Sequence, residues 1–543
     1  MAYVITQSCC SDASCVPACP VDCIRPVGTA PDATSAQMLY IDPEACIDCG
    51  ACVDECPVNA IFYEEDLPPQ LELFKDINAA YFRNKPLESE ARPATNPRPR
   101  ALSETLRVAI VGAGPAGCYA AAELVGVDGV EVELFDRLPT PFGLIRSGVA
   151  PDHQHTKSIT KSFDHLFANK QFRCHFNVDV GRDITHDELI AHHHAVIYAT
   201  GASTSRALGI PGEDLAGAHP AADFVGWYNG HPDHAGHTFN LSTPRAVVVG
   251  NGNVALDVAR MLLTEPAQLA GTDIAQHALD ALSQSTIEEV LILGRRSFRH
   301  AAFSAGEFLA LGNLEGIDVI IDGHQVDDVD RAGDDLDVET AFKLRLAREY
   351  ARRPATPGNK RIVFQFSAVP MEISGAQQVE KLRIACADTK DDAWVDTSLV
   401  LRSIGYQGVP QCGLPFDAGK AVIPNDQGRV IDEAGRPLPG TYVTGWIKRG
   451  PRGVIGTNRA CAQETVAQLW TDYAEGTLDN QVQDGASLSA LLLQRGITTV
   501  GWEGWRAIDD AERERGARIS RPRVKFTVIP EMLTAATNQP TMH

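Results

Sequence analysis

The sequence predicts a small α+β N-terminal domain followed by two α/β dinucleotide-binding domains of the Rossmann type. Three observations lead there. Nine of the fourteen cysteines fall within the first 56 residues, and strand–glycine–helix units begin at Leu106 and again at Arg245. The length of 543 residues suits three or four domains at about 100–200 residues each. Lys and Arg total 48 against 70 Asp and Glu, a net charge of −22. That balance argues against nucleic acid or an anionic membrane as the main partner. No run approaches 18 apolar residues, so no membrane span is expected. The start, MAYVITQSCC, lacks the basic and apolar regions of an export signal, so a cytoplasmic protein is expected.

The N-terminal element comes first. Cys46-x2-Cys49-x2-Cys52-x3-Cys56-Pro57 is the spacing that wraps three thiolates around one cubic iron–sulfur cluster and sends the fourth to a second cluster. An upstream copy, Cys9-x2-Asp12-x2-Cys15-x3-Cys19-Pro20, keeps the frame with Asp in place of the middle Cys. A carboxylate suits iron–sulfur coordination less well than a thiolate. Cluster 1 is therefore expected to use Cys9, Cys15 and Cys56, with Asp12 at most a weak ligand, as a 3Fe–4S or labile 4Fe–4S centre. Cluster 2, a 4Fe–4S centre, is expected on Cys19, Cys46, Cys49 and Cys52. Cys10 could replace Cys9 but breaks the frame; Cys23 reads as a packed neighbour.

Residues 86–105 carry four prolines and read as a flexible linker, which would leave the N-terminal domain tethered but movable. The strand Leu106–Val111 then runs into Gly112-Ala-Gly114-Pro115-Ala116-Gly117 and a small-residue helix. A second strand ends at Asp136, where a ribose hydroxyl would need an acceptor. The glycines allow a pyrophosphate to approach a helix N-terminus.

The second unit runs from Arg245–Val249 into Gly250-Asn251-Gly252-Asn253-Val254-Ala255. Its next strand ends in Gly294-Arg295-Arg296 with no acid, after an extra helix near Leu282. Two guanidiniums at that position suit a 2′-phosphate, hence NADP(H). Near the end, Gly445-Trp446 and Gly450-Pro-Arg-Gly453-Val454-Ile455-Gly456 form a further glycine-rich stretch, where a helix N-terminus could approach a ligand. The triplet His192–His194 reads as a helix end, and the Asp-rich run 327–337 as a solvated loop.

Residues 1–63 resemble the bacterial two-cluster ferredoxins. The stretches Leu138-Pro-Thr-Pro-Phe-Gly-Leu144 to His153, Gly250 to Asp257 and Gly445-Trp-Ile-Lys-Arg-Gly-Pro451 resemble the adrenodoxin-reductase-like ferredoxin–NADP⁺ reductases over about residues 105–515. That resemblance implies a glutathione-reductase-like flavoprotein architecture behind a ferredoxin-like domain. The implied division is 1–66, ferredoxin; 67–105, extension and linker; 106–203, FAD domain; 204–403, NADP domain; 404–543, FAD domain again plus a C-terminal extension. It also implies FAD contacts from Asp136, Leu144, Val180, Trp446, Gly453, Val454 and Ile455, besides the loop Gly112–Gly117. NADPH contacts are implied for Asn251, Gly252, Asn253, Val254, Arg295, Arg296, Glu307 and Gly453. His153 would reach the flavin edge or a proton path as a catalytic residue. The family more often has Glu where this chain has Asp136.

A flavin belongs between a two-electron hydride donor and one-electron iron–sulfur acceptors. The expected activity is NADPH:ferredoxin oxidoreduction through the fused ferredoxin to external acceptors such as ferredoxins or haem oxygenases. The alternative is an electron-input subunit of a larger enzyme, like the small subunit of glutamate synthase. The complete two-cluster frame and the Pro-rich stretch argue against that alternative.

Overall fold

The computed structural model describes residues 2–26, 37–87, 98–327, 336–386, 392–478, 481–483 and 485–537. Residues 88–97 of the expected linker and 328–335 of the Asp-rich run lie outside these.

The N-terminal unit is built from two short antiparallel ladders, Tyr3–Ile5 with Ile61–Tyr63 and Ile24–Arg25 with Tyr40–Ile41. One-turn helices at Cys15–Ala18 and Ala51–Asp54 carry cysteines between them. Such small ladders bury little, and the helix Leu73–Asn84 completes their core with Phe74, Ile77 and Phe82. Asn78 clamps both ladders. Its amide oxygen accepts from Ile41 N (2.8 Å) and Ile5 N (3.3 Å), while its nitrogen donates to Ile5 O (2.9 Å) and Phe74 O (2.8 Å). The buried amide is thus fully satisfied.

The first dinucleotide domain is centred on a seven-stranded sheet in which five adjacent strands, reaching one edge, are parallel, in the order Pro437–Val443, Ala195–Tyr198, Ala101–Val111, Asp128–Asp136, Phe172–Phe176. Two short antiparallel strands, Arg429–Ile431 and Asn425–Asp426, follow Pro437–Val443 at the other edge. Parallel strands covered on both faces read as continuous apolar runs, and Val108, Ala109 and Ile110 are fully buried. The strand starts at Ala101, inside the stretch expected to be linker. Ala101 already pairs with Asp128 before the register shifts and continues at Leu106. The second domain holds a six-stranded parallel sheet, in the order Ala218–Pro220, Val400–Arg402, Arg245–Val249, Glu289–Leu293, Lys360–Gln365, Ile317–Ile321. The lengthened crossover contains the helices Asn253–Leu263, Pro266–Leu269 and Gln276–Leu282.

The N-terminal unit is seated on both domains. Its helix Leu73–Asn84 packs on the helix Val338–Arg352 of the second domain. A Cβ on Gly306 would come within 2.7 Å of the Gln7 side chain, so that face also fits closely. On the other side, Cys10, Val58 and Ala60 share an apolar core with the first domain.

The C-terminal segment is stitched in by charge. Trp502 stacks on Phe167 at 3.8 Å, and the fully buried Glu512 pairs with Arg146 and Arg523. Below it, Lys157 and Lys525 converge on Asp273 at 2.7 and 3.0 Å. The histidines 192–194 are structural: His192 and His193 contact helix carbonyls of Glu188 and Leu189, and His194 Nδ1 accepts from Arg107 N. Among the described residues no helix is long and apolar enough to cross a membrane.

Candidate active site

The first glycine loop has a distinct reason for each glycine. Gly112 sits at φ +108, and a Cβ there would meet Ala199 O at 2.5 Å. One on Gly117 would run into Gly112 O. A Cβ on Gly114 would meet nothing within 4 Å. Open space therefore stands before Pro115, the first residue of the helix Pro115–Val125, where the free N–H groups favour an anion. Gly143 closes on this cradle, its Cβ position lying 3.0 Å from Gly114 Cα, and the next residue, Leu144, is partly exposed.

Asp136 stands at the end of its strand as expected, but its oxygens already accept Ala113 N (2.8 Å) and Leu138 N (2.9 Å). Burial raises its pKa and these two donors oppose the shift. The carboxylate thus holds the glycine turn and keeps further lone pairs for a hydroxyl. Val178 N bonds to Asp136 O, which brings half-buried Val180 to the same strand end.

Gly445, at φ +77, lies against Ala116, with 2.5 Å between its Cβ position and Ala116 Cβ. It starts the short helix Trp446–Arg449. Trp446 Nε1 donates to Arg452 O and its ring lies 5.7 Å from Tyr406. Gly453 takes φ +83, and Val454 N is capped by Thr457 Oγ1. Asn458 then donates to Ile455 O (2.9 Å), fixing the loop Gly453–Ile455 from beneath. Gly445 thus brings the loop Trp446–Ile455 against the first turn of the helix Pro115–Val125.

The second loop repeats the plan. Gly250, at φ +115, presses on Ser403 O, and a Cβ on Gly252 before the helix Asn253–Leu263 would find open space. Asn253 Oδ1 accepts from Ser304 N (2.7 Å), orienting the loop towards the helix Ala305–Leu311. Val254 is half-buried in the first turn. Arg295 and Arg296 are both exposed at the strand end. His153 and Glu307 meet across the two domains, with Nε2 and Oε2 3.8 Å apart. Burial raises the Glu307 pKa, and His153 opposes that rise. Asp257, Arg260 and Asp152 extend the group, Arg260 bonding both acids. Asp152 and Asp257 lie in stretches that carried the resemblance, but nothing in the sequence brought them together with Arg260, since 105 positions separate Asp152 from Asp257.

The cysteines line two separate cavities. One is bordered by Cys9, Cys10, Asp12, Cys15 and Cys56, the other by Cys19, Cys23, Cys46, Cys49 and Cys52. The partition matches the expected ligand sets, and converging thiols of this kind suit iron–sulfur clusters. Cys23 Sγ lies 3.4 Å from Cys19 Sγ, as a packed neighbour should.

Asp12 departs from expectation. It is 6% exposed, and its Oδ2 accepts from Tyr119 OH at 2.8 Å. Its Oδ1 accepts from Ser14 N (3.1 Å) and the Ser14 hydroxyl. Arg459 adds a guanidinium 3.6 Å from Oδ2 and donates to Asp12 O and Ser14 Oγ. The carboxylate, expected as at most a weak ligand of cluster 1, is engaged as an acceptor between domains. Beside it, Gly456 N donates to Cys10 O at 2.8 Å, directly after Gly453–Ile455. The glycine loop of the first domain and the first cysteine cavity therefore share a boundary.

Over 552 residues the chain is 45% identical to the probable ferredoxin/ferredoxin–NADP reductase of Mycobacterium tuberculosis, covering 99% of this chain and 96% of that protein. The chain belongs to the ferredoxin–NADP reductase family. Another member at 38% identity over 81% of this chain and 97% of its own length is the mitochondrial NADPH:adrenodoxin oxidoreductase of Arabidopsis thaliana. The solved structure of FprA from Mycobacterium tuberculosis in complex with NADPH aligns at TM-score 0.74 with 41% identity, over 80% of this chain and all of that one. Within this ferredoxin–NADP reductase relative, residues 106–306 match the pyridine nucleotide-disulphide oxidoreductase family and residues 39–62 the 4Fe-4S binding domain.

Proposed function

We infer that this reductase oxidises NADPH and passes the electrons through its own iron–sulfur domain to external acceptors, such as ferredoxins or haem oxygenases, in the cytoplasm. FAD would supply the conversion from hydride to single electrons. The observation that carries the reading is the shared boundary of Gly453–Gly456 and Cys9–Asp12. The division proposed with it is a two-cluster ferredoxin-like domain over 1–66, an extension over 67–105, FAD-binding parts at 106–203 and 404–543, and an NADP domain at 204–403.

In this reading Gly112, Gly114, Pro115, Ala116 and Gly117 admit the FAD pyrophosphate. Asp136 takes its ribose and Val180 borders its adenine, while Leu144, Trp446, Val454 and Ile455 enclose the ring. Asn251, Gly252, Asn253 and Val254 receive the NADPH pyrophosphate, Arg295 and Arg296 its 2′-phosphate. Gly453 leaves room where the two ligands meet. Glu307 contacts NADPH, and His153, 3.8 Å away on the other domain, reaches the flavin edge or a proton path.

The test is Gly456→Val. Gly456 has helical φ −69, so its own backbone tolerates a side chain. A Cβ there would run into the backbone of Ser11 and Asp12, forcing the N-terminal unit away. NADPH-dependent cytochrome c reduction is expected to fall on the order of tenfold or more, while ferricyanide reduction persists. Equal rates of both in the variant and the parent would defeat the reading.

Cys19, Cys46, Cys49 and Cys52 are assigned to a 4Fe–4S cluster. With Asp12 engaged by Tyr119 and Ser14, only Cys9, Cys15 and Cys56 remain in frame for cluster 1, which favours 3Fe–4S. Total iron is then expected at about seven per chain, rising toward about eight in Asp12→Cys. Eight tightly held irons in the unmodified protein, lost on Cys10→Ala, would instead assign Cys10 as the fourth ligand.

A further inference from the structure

The loop after the helix Ala221–Tyr228 reads His231-Pro-Asp-His234-Ala-Gly-His237, a histidine at every third position. Successive turns, His234 N to His231 O and His237 N to His234 O, bring the three rings to one side. Ring centroids of His234 and His237 are 5.4 Å apart. His231 is already engaged, its Nδ1 accepting from Asp233 N. The other two face Asp223, one turn into the preceding helix. Donor atoms of Asp223, His234 and His237 all lie within 4.8 Å of one another, and His234 Nδ1 is 3.6 Å from Asp223 Oδ1.

Two further features set this group apart from an ordinary solvated cluster. His234 Nδ1 is buried without a hydrogen-bond partner, which is costly for a polar atom unless something else fills that role. Gly226 sits where any Cβ would strike the His234 imidazole, so the ring's place depends on glycine there. The local cation Arg402 is paired with Glu213 at 3.4 Å.

We propose that Asp223, His234 and His237 form a binding site for a divalent cation of the zinc class, separate from the dinucleotide and cysteine sites. Two imidazoles and one carboxylate are a usual zinc donor set, with a fourth position left for water. Bond lengths of about 2.0–2.2 Å require donors somewhat closer than they stand here, which rotation about the terminal side-chain bonds supplies. Metal ligation needs neutral imidazole. Burial lowers the pKa of His234, with Asp223 opposing, so the ring is neutral at pH 7. The site would brace the loop at the point where Asp233 meets Arg137 of the first domain at 2.6 Å.

The test uses the full-length protein with its flavin and clusters in place, washed with chelator and dialysed against zinc chloride alone. Zinc, iron and flavin per chain are then measured together. The parent is expected to hold one zinc more than His234→Gln or His237→Ala. Asp223→Asn is expected to weaken zinc by at least the roughly 10–100-fold that loss of a group one shell further out costs. Unchanged iron and flavin in any one of these variants certify its fold, so a single intact variant suffices. Equal zinc in the parent and that variant, or no zinc retained by the parent, overturns the proposal.

Discussion

Replacing Arg295 and Arg296 together with Ala is expected to lower kcat/KM for NADPH by roughly 10²–10⁴-fold and to leave NADH nearly unchanged. Each guanidinium offers charge-assisted bonds to a 2′-phosphate, about 1.5–3 kcal/mol apiece, and a bare hydroxyl draws on neither charge. Both side chains are exposed just beyond the end of Glu289–Leu293, and among the described residues neither is ion-paired with an acid. The measurement is the ratio of kcat/KM for the two cofactors. An unchanged ratio would remove the case for NADP specificity at this strand end.

Asp273→Asn should produce the largest loss of stability. Three distant stretches of chain meet at this carboxylate: Lys157, Asp273 itself and Lys525, with exposures of their side chains of 10%, 5% and 1%. Burial alone would raise the Asp273 pKa, but Lys525 and Lys157 hold it well below the usual carboxylate range. Removing the charge leaves the two buried lysines with neutral acceptors alone, among them Asn229 Oδ1 and Arg146 O. Breaking a buried pair in this way costs about 3–5 kcal/mol. Thermal unfolding should begin markedly lower, with the flavin released early, because Lys525 anchors the C-terminal segment. Since the folded pKa is depressed, the contribution is complete above about pH 4 and is lost as pH falls further. The variant should therefore differ from the parent at pH 7 and much less at the acid limit. Matching melting curves at pH 7 would show that the lysines find other partners.

The glycine loops, the strand ends and the two cysteine groups were legible because each depends on residues close together in sequence. A strand, a tight turn and a helix N-terminus fit within a dozen residues, and C-x2-C-x2-C-x3-C sets its own geometry. The seating of the N-terminal unit was not legible. It rests on Asp12 with Tyr119 and Arg459, and on Cys10 with Gly456, pairs from two domains that lie more than 100 positions apart in sequence. Composition carried no sign that the helix Leu73–Asn84, just before the prolines, packs on the helix Val338–Arg352 of the second domain. Asp12 shows the limit most clearly. Its place in the cysteine frame suggested a ligand, and its neighbours in space made it an acceptor for a tyrosine.

The bond between Gly456 and Cys10 has a kinetic consequence. A carrier held against the reductase by its own backbone does not have to be found by diffusion, so the first transfer should be independent of enzyme dilution and insensitive to ionic strength. A free protein acceptor cannot compete for that position, because residues 9–14 already occupy it. What it can reach is the opposite end of the unit, where Cys49 is exposed and Ile47 is 58% exposed. Second-order behaviour, with its dependence on acceptor concentration and salt, should therefore appear only in the step that leaves the protein.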